Sequence, residues 1–413
     1  MGVAMKATTS LRLVWHNRSL APMALAIIAA GLTFYVPVSV VFLTSRGQSL
    51  EDIFIFESIL LASILVAEVP SGLISDRIDR RWVILSGFVF NGCAEVVFAL
   101  GNSFTAFTAS FVLSGLGIAM LTGTQDAYIY EALGDNADRD SVAVWGHFGA
   151  LELVAGVFAS FVGGVLAKID VALPAYAAAI AACLAAVAVL FLPPQPASAS
   201  EKTTEETALV SLKRGISLLF SSPVLLYTAV ASSAVFVLFN SVFTLNQPIF
   251  DRVDVPLALW GFIVGGAQLA AAVYDHFSGV IVERVGRRVG LLLAFGYGVI
   301  GFILMMIPNI ICVIIGFTLV VISMFARGPI TRAVANKEIP SERRATVLNV
   351  ASTLGSLIGI LLNPVIGWGA DQSPVVTVGG IALVLFFVML TWIPIANRYV
   401  QVKETGEARS EES

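Results

Sequence analysis

Gly72-Leu73-Ile74-Ser75-Asp76-Arg77-Ile78-Asp79-Arg80-Arg81 stands between two apolar stretches. Gly279-Val280-Ile281-Val282-Glu283-Arg284-Val285-Gly286-Arg287-Arg288, 207 residues later, stands between two more. A glycine, an acid and a cluster of arginines recur in the same order. Each copy joins one apolar span to the next and reads as a charged turn between helices. The duplication marks an internal repeat whose halves carry the same hinge on the same membrane face.

The composition agrees. The chain is 57% hydrophobic and 13% charged, with mean hydropathy +0.89, against about 25% charge in a soluble domain. Its apolar residues form long runs, which predicts an all-α membrane protein. Twelve spans can be drawn, at 20–44, 52–74, 82–101, 103–131, 141–167, 171–192, 223–250, 256–282, 288–307, 309–333, 345–370 and 374–397. They divide into a first half (1–192), a polar linker (193–222), a second half (223–397) and a polar tail (398–413). With the N-terminus inside, the outer loops hold only Arg46, Lys168 and Arg252 of the 24 basic residues. The other 21 lie on the inner side, which places both termini in the cytoplasm. The apolar run from Leu20 to Leu43 is too long for a signal-peptide core and reads as a retained first helix.

Several classes of chemistry find no support. Cys93, Cys183 and Cys312 lie inside spans and read as small packing residues, not as a disulfide framework. His16, His147 and His276 lack metal-ligand spacing. There is no phosphate-binding Gly-Lys-Ser/Thr loop and no nucleophile elbow, so no cofactor, metal or enzyme activity is expected. Gly115, Gly117 and Gly123 read as helix-packing glycines. No basic stripe suggests nucleic acid.

The repeat extends beyond the hinge. At an offset of 204, Arg139 matches Arg343, Ala155 matches Gly359, Ser160 matches Pro364 and Gly163 matches Gly367. Two halves running in the same direction imply a pseudo-two-fold axis along the membrane normal, the outline of a secondary transporter.

With these residues in view, the chain resembles the major facilitator superfamily. That family carries Gly-x-x-x-Asp-Arg-x-Gly-Arg-Arg in its cytoplasmic loop. Asp79 replaces the second glycine in the first copy, and Glu283 replaces the aspartate in the second. Glu68-Val69-Pro70-Ser71-Gly72, Thr122-Gly123-Thr124-Gln125-Asp126-Ala127 and Arg343-Arg344-Ala345-Thr346-Val347-Leu348-Asn349 also look like bacterial members. The resemblance implies twelve transmembrane helices in two pseudo-symmetric six-helix bundles that rock about a central site. It also implies a monomer in the bacterial inner membrane, with a small-molecule substrate and protons as partners besides the lipid bilayer. Two departures weaken the likeness to drug/proton antiporters. Span four has no arginine, and span five carries Ala159-Ser160-Phe161-Val162-Gly163-Gly164 without the antiporters' proline.

The resemblance assigns a cytoplasmic gate to Glu68, Gly72, Asp76, Arg77, Arg80 and Arg81, and to Gly279, Glu283, Arg284, Arg287 and Arg288 in the repeat. Gly72 would let two helices approach closely, although positive-inside anchoring alone would explain the arginines. Asp126 and Glu131 in span four and Arg327 and Arg332 in span ten could pair across the halves as a second layer of that gate. Ionisable residues within spans are costly and default to functional candidates. Glu152, near the middle of span five, is the first choice for a proton-coupling carboxylate, followed by Glu57, Asp126 and Asp275. Glu57 reads first as an acid reaching the outer interface and second as a proton site, and Glu95 as a structural hydrogen-bonding group. Phe34, Tyr35, Phe236, Asn240, Phe243, Gln247 and Gln268 are candidates to line an apolar, aromatic substrate cavity. The resulting expectation is proton-coupled efflux of a neutral or cationic amphipath. The alternatives are proton-coupled uptake of a metabolite, or a non-transporting membrane sensor or scaffold.

Overall fold

The computed structural model describes residues 13–195, 223–338 and 344–391. Most of the linker and the whole tail lie outside the described residues. So do the side chains of several residues within the helices, among them Glu283, Arg287, Arg288, Arg327 and Arg332.

Every regular element among the described residues is helical. In the first half these are α1 (Leu20–Gly31), α2 (Ser39–Ser45), α3 (Leu50–Ser75), α4 (Arg80–Leu100), α5 (Phe104–Leu121), α6 (Thr124–Leu133), α7 (Ala137–Ile169) and α8 (Leu173–Val189). In the second they are α9 (Pro223–Asn240), α10 (Val242–Arg252), α11 (Leu257–Val285), α12 (Arg287–Met306), α13 (Ile310–Glu338), α14 (Arg344–Gln372) and α15 (Pro374–Thr391). Backbone groups cannot be left unpaired in hydrocarbon, so a run of apolar residues this long closes its hydrogen bonds within helices. The 26 residues of α3 rise roughly 39 Å, more than the ~30 Å of a bilayer core.

Helix starts follow local chemistry. Ser49 and Asp52 form a reciprocal capping box at α3, with the Ser49 hydroxyl accepting from the Asp52 amide at 3.0 Å and the Asp52 carboxylate accepting from the Ser49 amide at 2.9 Å. The Asp79 carboxylate caps α4 by accepting the Arg81 amide at 2.9 Å.

Among the described residues the helices group into twelve apolar segments, but three of the spans expected to be continuous are broken. The first is interrupted between Gly31 and Ser39, where Pro37 lacks an amide hydrogen and short local bonds replace the helical ladder. The seventh is interrupted at Ser241. The fourth stops at Thr122 and restarts at Thr124, because Gly123 takes φ +76°, a region that side-chain-bearing residues rarely adopt. Gly123 therefore interrupts a helix instead of packing one.

Gly115 and Gly117 do pack as expected. A Cβ on Gly115 would stand 2.5 Å from the Ser63 Cβ, and one on Gly117 would stand 2.5 Å from the Asn91 Oδ1. The missing side chains let α5 lie directly against α3 and α4. The same device holds α12 to α13, where a Cβ on Gly301 would meet the Gly316 carbonyl at 2.6 Å.

The chain divides into two compact units. The first comprises the first half together with Leu257–Gly265, and the second comprises the remaining described residues of the second half. In the first unit α4 packs on α5 and α8, and α1 packs on α7 and α8. In the second, α12 packs on α13 and α9 packs on α14, the repeat counterparts of α4 with α5 and of α1 with α7. Within the first unit, Gly163 of α7 faces the Phe34 carbonyl at the break in the first span, and Gly164 faces Gly261. Phe161 stacks on Phe262, with ring centroids 5.1 Å apart. The glycine pair retained in span five thus serves two separate close approaches.

Candidate functional site

Two groups of polar side chains stand out in the first unit, one at each end of its helices. The inner group is built on the hinge motif. The Ser71 hydroxyl, buried where α3 meets α5, donates to the Ala119 carbonyl at 2.9 Å. Thr124, just past the break in span four, donates to the Ser75 hydroxyl at 3.2 Å. Arg80 is buried and forms an ion pair with Glu131 of α6. The Arg81 guanidinium donates to the Leu192 carbonyl at 3.2 Å and lies 4.6 Å above the Trp82 ring.

These contacts change two assignments. Glu131, expected to face the bases of span ten, forms an ion pair with Arg80 inside its own unit. Both arginines fall on α13, with side chains outside the described residues. Gly72 is exposed, and no described atom lies within 4 Å of where its Cβ would stand. It makes no close approach among the described residues of its own unit. Glu68, Asp76, Arg77 and Asp126 are also exposed. In the repeat, Gly279 and Glu283 lie on α11 and Arg284 is exposed. α11 continues to Val285, and Gly286 alone, at φ +81°, turns the chain into α12.

The outer group joins three helical segments. Tyr35, in the break of the first span, donates its hydroxyl to the Glu95 Oε1 of α4 at 3.0 Å. Its ring packs on Phe98, one turn further along α4, with centroids 4.7 Å apart. A phenol has one proton to donate. The second Glu95 oxygen, Oε2, is buried and has no hydrogen-bond partner among the described residues. Glu57 of α3 is half-buried and lies within electrostatic reach of the Tyr35 phenol. Around them Phe42, Phe56, Phe98 and Phe107 form a tightly packed aromatic core. Neither Glu57 nor Glu95 is ion-paired among the described residues. The break in the first span is what carries Tyr35 to Glu95, and periodicity alone gave no sign of it.

The remaining candidates are dispersed. Glu152 is exposed and not enclosed in apolar packing, so the surroundings expected to control its proton are absent from its own unit. Phe34 is half-buried, with its carbonyl against Gly163. In the second unit Phe236, Asn240 and Asp275 are exposed, and Gln268 is half-buried. Phe243 packs edge-on to Phe317 at 6.1 Å, and Gln247 is buried in α10 beside the buried Asn246.

Comparison with known proteins places these features in a lineage. The family model described as Major Facilitator Superfamily matches residues 21–362. The chain is 21% identical over 366 residues to the quinolone resistance protein NorA of Staphylococcus aureus (strain COL), covering 86% of this chain and 91% of NorA. It is 22% identical over 344 residues to an uncharacterized MFS-type transporter of Methanocaldococcus jannaschii, covering 80% and 85%. Among solved structures, the nucleoside transporter NupG superposes with a TM-score of 0.75 at 14% identity, over 92% of this chain and 98% of NupG.

Proposed function

The chain belongs to the Major Facilitator Superfamily, and from that premise we propose that it is a proton-coupled secondary transporter exporting small amphipathic compounds. The observation that carries this reading is the outer acid group. Two carboxyl groups, Glu57 and Glu95, lie beside an aromatic core, and among the described residues the Tyr35 phenol is the one hydrogen-bonding partner of Glu95. An unpaired charge in such surroundings is costly, whereas a neutral carboxylic acid is not. A change that admits water or a cation to Glu57 and Glu95 would release a proton, and enclosure would take it back. One proton crossing the membrane supplies roughly 2.3 kcal/mol per 100 mV, enough to bias two conformations about fiftyfold. The first choice from sequence, Glu152, gives way to Glu95 and Glu57 because it is exposed.

The similarity to NorA supports export, and the lack of any lysine or arginine within the six spans of the first half supports neutral or cationic compounds over anions. The 21-to-3 charge distribution supports an inner-membrane protein with both termini in the cytoplasm. A single chain contains both halves of the repeat and is taken as the working unit.

The test is reconstitution in liposomes carrying a pH-sensitive dye, with ethidium and tetraphenylphosphonium as probes under an imposed proton gradient. Export coupled to protons predicts probe-dependent proton entry opposite to probe movement. Proton and probe moving in the same direction would establish symport instead. A panel that moves neither would contradict the proposal.

A further inference from the structure

The point where the chain leaves the first half is pinned to the hinge motif. Leu192 is buried in the first unit's core. Its carbonyl accepts from the Arg81 guanidinium at 3.2 Å. The next carbonyl, of Pro193, accepts from the buried Tyr128 hydroxyl at 3.0 Å. Two residues on, the Gln195 amide donates to the Asp79 Oδ1 at 3.1 Å. That same oxygen caps α4 through the Arg81 amide.

The local sequence makes this last bond selective. Residues 193–196 read Pro-Pro-Gln-Pro. Proline has no amide hydrogen, so Gln195 carries the only backbone donor of the four, and that donor is spent on Asp79. Proline also restricts the backbone at Pro193 and Pro194, so the bond to Asp79 holds a stiff segment just past α8.

Asp79 is also the position at which the first hinge departs from its repeat. The second copy has Gly286 there, at φ 81° and ψ 154°, with no side chain to accept a bond. Asp79 has φ −56° and ψ 122°, an ordinary extended conformation. The aspartate gives up the glycine turn and gains an acceptor shared by a helix and the linker.

We infer that Asp79 is a positioning residue that joins the exit of the interhalf linker to the inner hinge, so that the two move as one piece. The hinge sits at the inner ends of α3 and α4, so any rearrangement there shifts the linker's point of departure. The sequence of the linker then matters to transport through its attachment and not only its length.

Hydrogen exchange by mass spectrometry on the full-length protein in nanodiscs tests this without a transport substrate. Gln195→Pro deletes the one amide donor while leaving the Asp79 carboxylate and its cap on α4. Its expected effect is faster exchange of hinge amides 76–79, by about fivefold for a released hydrogen bond, with α8 unchanged. Asp79→Ala should do the same and also free the Gln195 amide. Asp79→Asn, which keeps an acceptor oxygen, should stay near wild type. The inference is overturned if Gln195→Pro leaves the hinge unchanged, if Asp79→Asn behaves like Asp79→Ala, or if α8 loosens as much as the hinge. Should Asp79→Ala fail to fold, Gln195→Pro still decides the matter.

Discussion

Arg80 and Glu131 show at the scale of single residues what burial does to a charge pair. Their side chains are 11% and 32% exposed, so the guanidinium is the more deeply enclosed partner. Removing the acid leaves that charge enclosed and uncompensated, whereas a neutral acceptor still takes a hydrogen bond. Glu131→Ala is therefore expected to cost about 1–3 kcal/mol, with Glu131→Gln costing less. Thermal unfolding in detergent checks this, and an unshifted midpoint for Glu131→Ala would contradict the pairing as a stabilising contact. The acid and the base were both legible in the sequence as inner-face charges, but their partnership was not. Arg80, Arg327 and Arg332 all lie toward the inner face by sequence, and periodicity alone cannot choose among them. Tyr35 and Glu95 repeat the lesson, since their hydrogen bond spans 60 positions and depends on a helix break. Glu152 is the reverse case. Its position near mid-span was read correctly, but its enclosure was not, because one helix does not reveal which of its faces its neighbours cover.

Hydropathy located the helices well because a bilayer imposes length and apolarity on each one. It missed the breaks because a window of about 20 residues averages over any single backbone angle. The interruption in span four rests on Gly123 at φ +76°. An alanine there places a Cβ in a disfavoured region even though the space around it is open. Gly123→Ala is expected to destabilise by about 1–2 kcal/mol, and Gly123→Asn by less, since asparagine tolerates positive φ better. Equal unfolding midpoints for wild type and Gly123→Ala would show that the segment can straighten at no cost. The break has a structural use, because α6 carries Thr124 to Ser75 and Glu131 to Arg80 at the hinge. A continuous span four would send those side chains elsewhere around the helix.

Across the whole molecule, the duplicated hinge and the one-sided distribution of basic residues were enough to define two halves running in the same direction. The packing of α4 on α5 and of α12 on α13 repeats that relation within each unit. Membrane-embedded acids turn this fold from a scaffold into a candidate machine, in which Glu95, with Tyr35 and Glu57, is proposed to take and release the coupled proton. The direct measurement compares Glu95→Gln with Glu152→Gln in liposomes, each assayed for exchange of labelled tetraphenylphosphonium across the membrane at equal pH and for accumulation driven by a proton gradient. Glu95→Gln should retain exchange and lose gradient-driven accumulation by at least about tenfold, as expected when the proton site is removed and the binding site is kept. Glu152→Gln should keep both. Gradient-driven accumulation that survives in Glu95→Gln and disappears in Glu152→Gln would contradict the account and return the coupling role to span five.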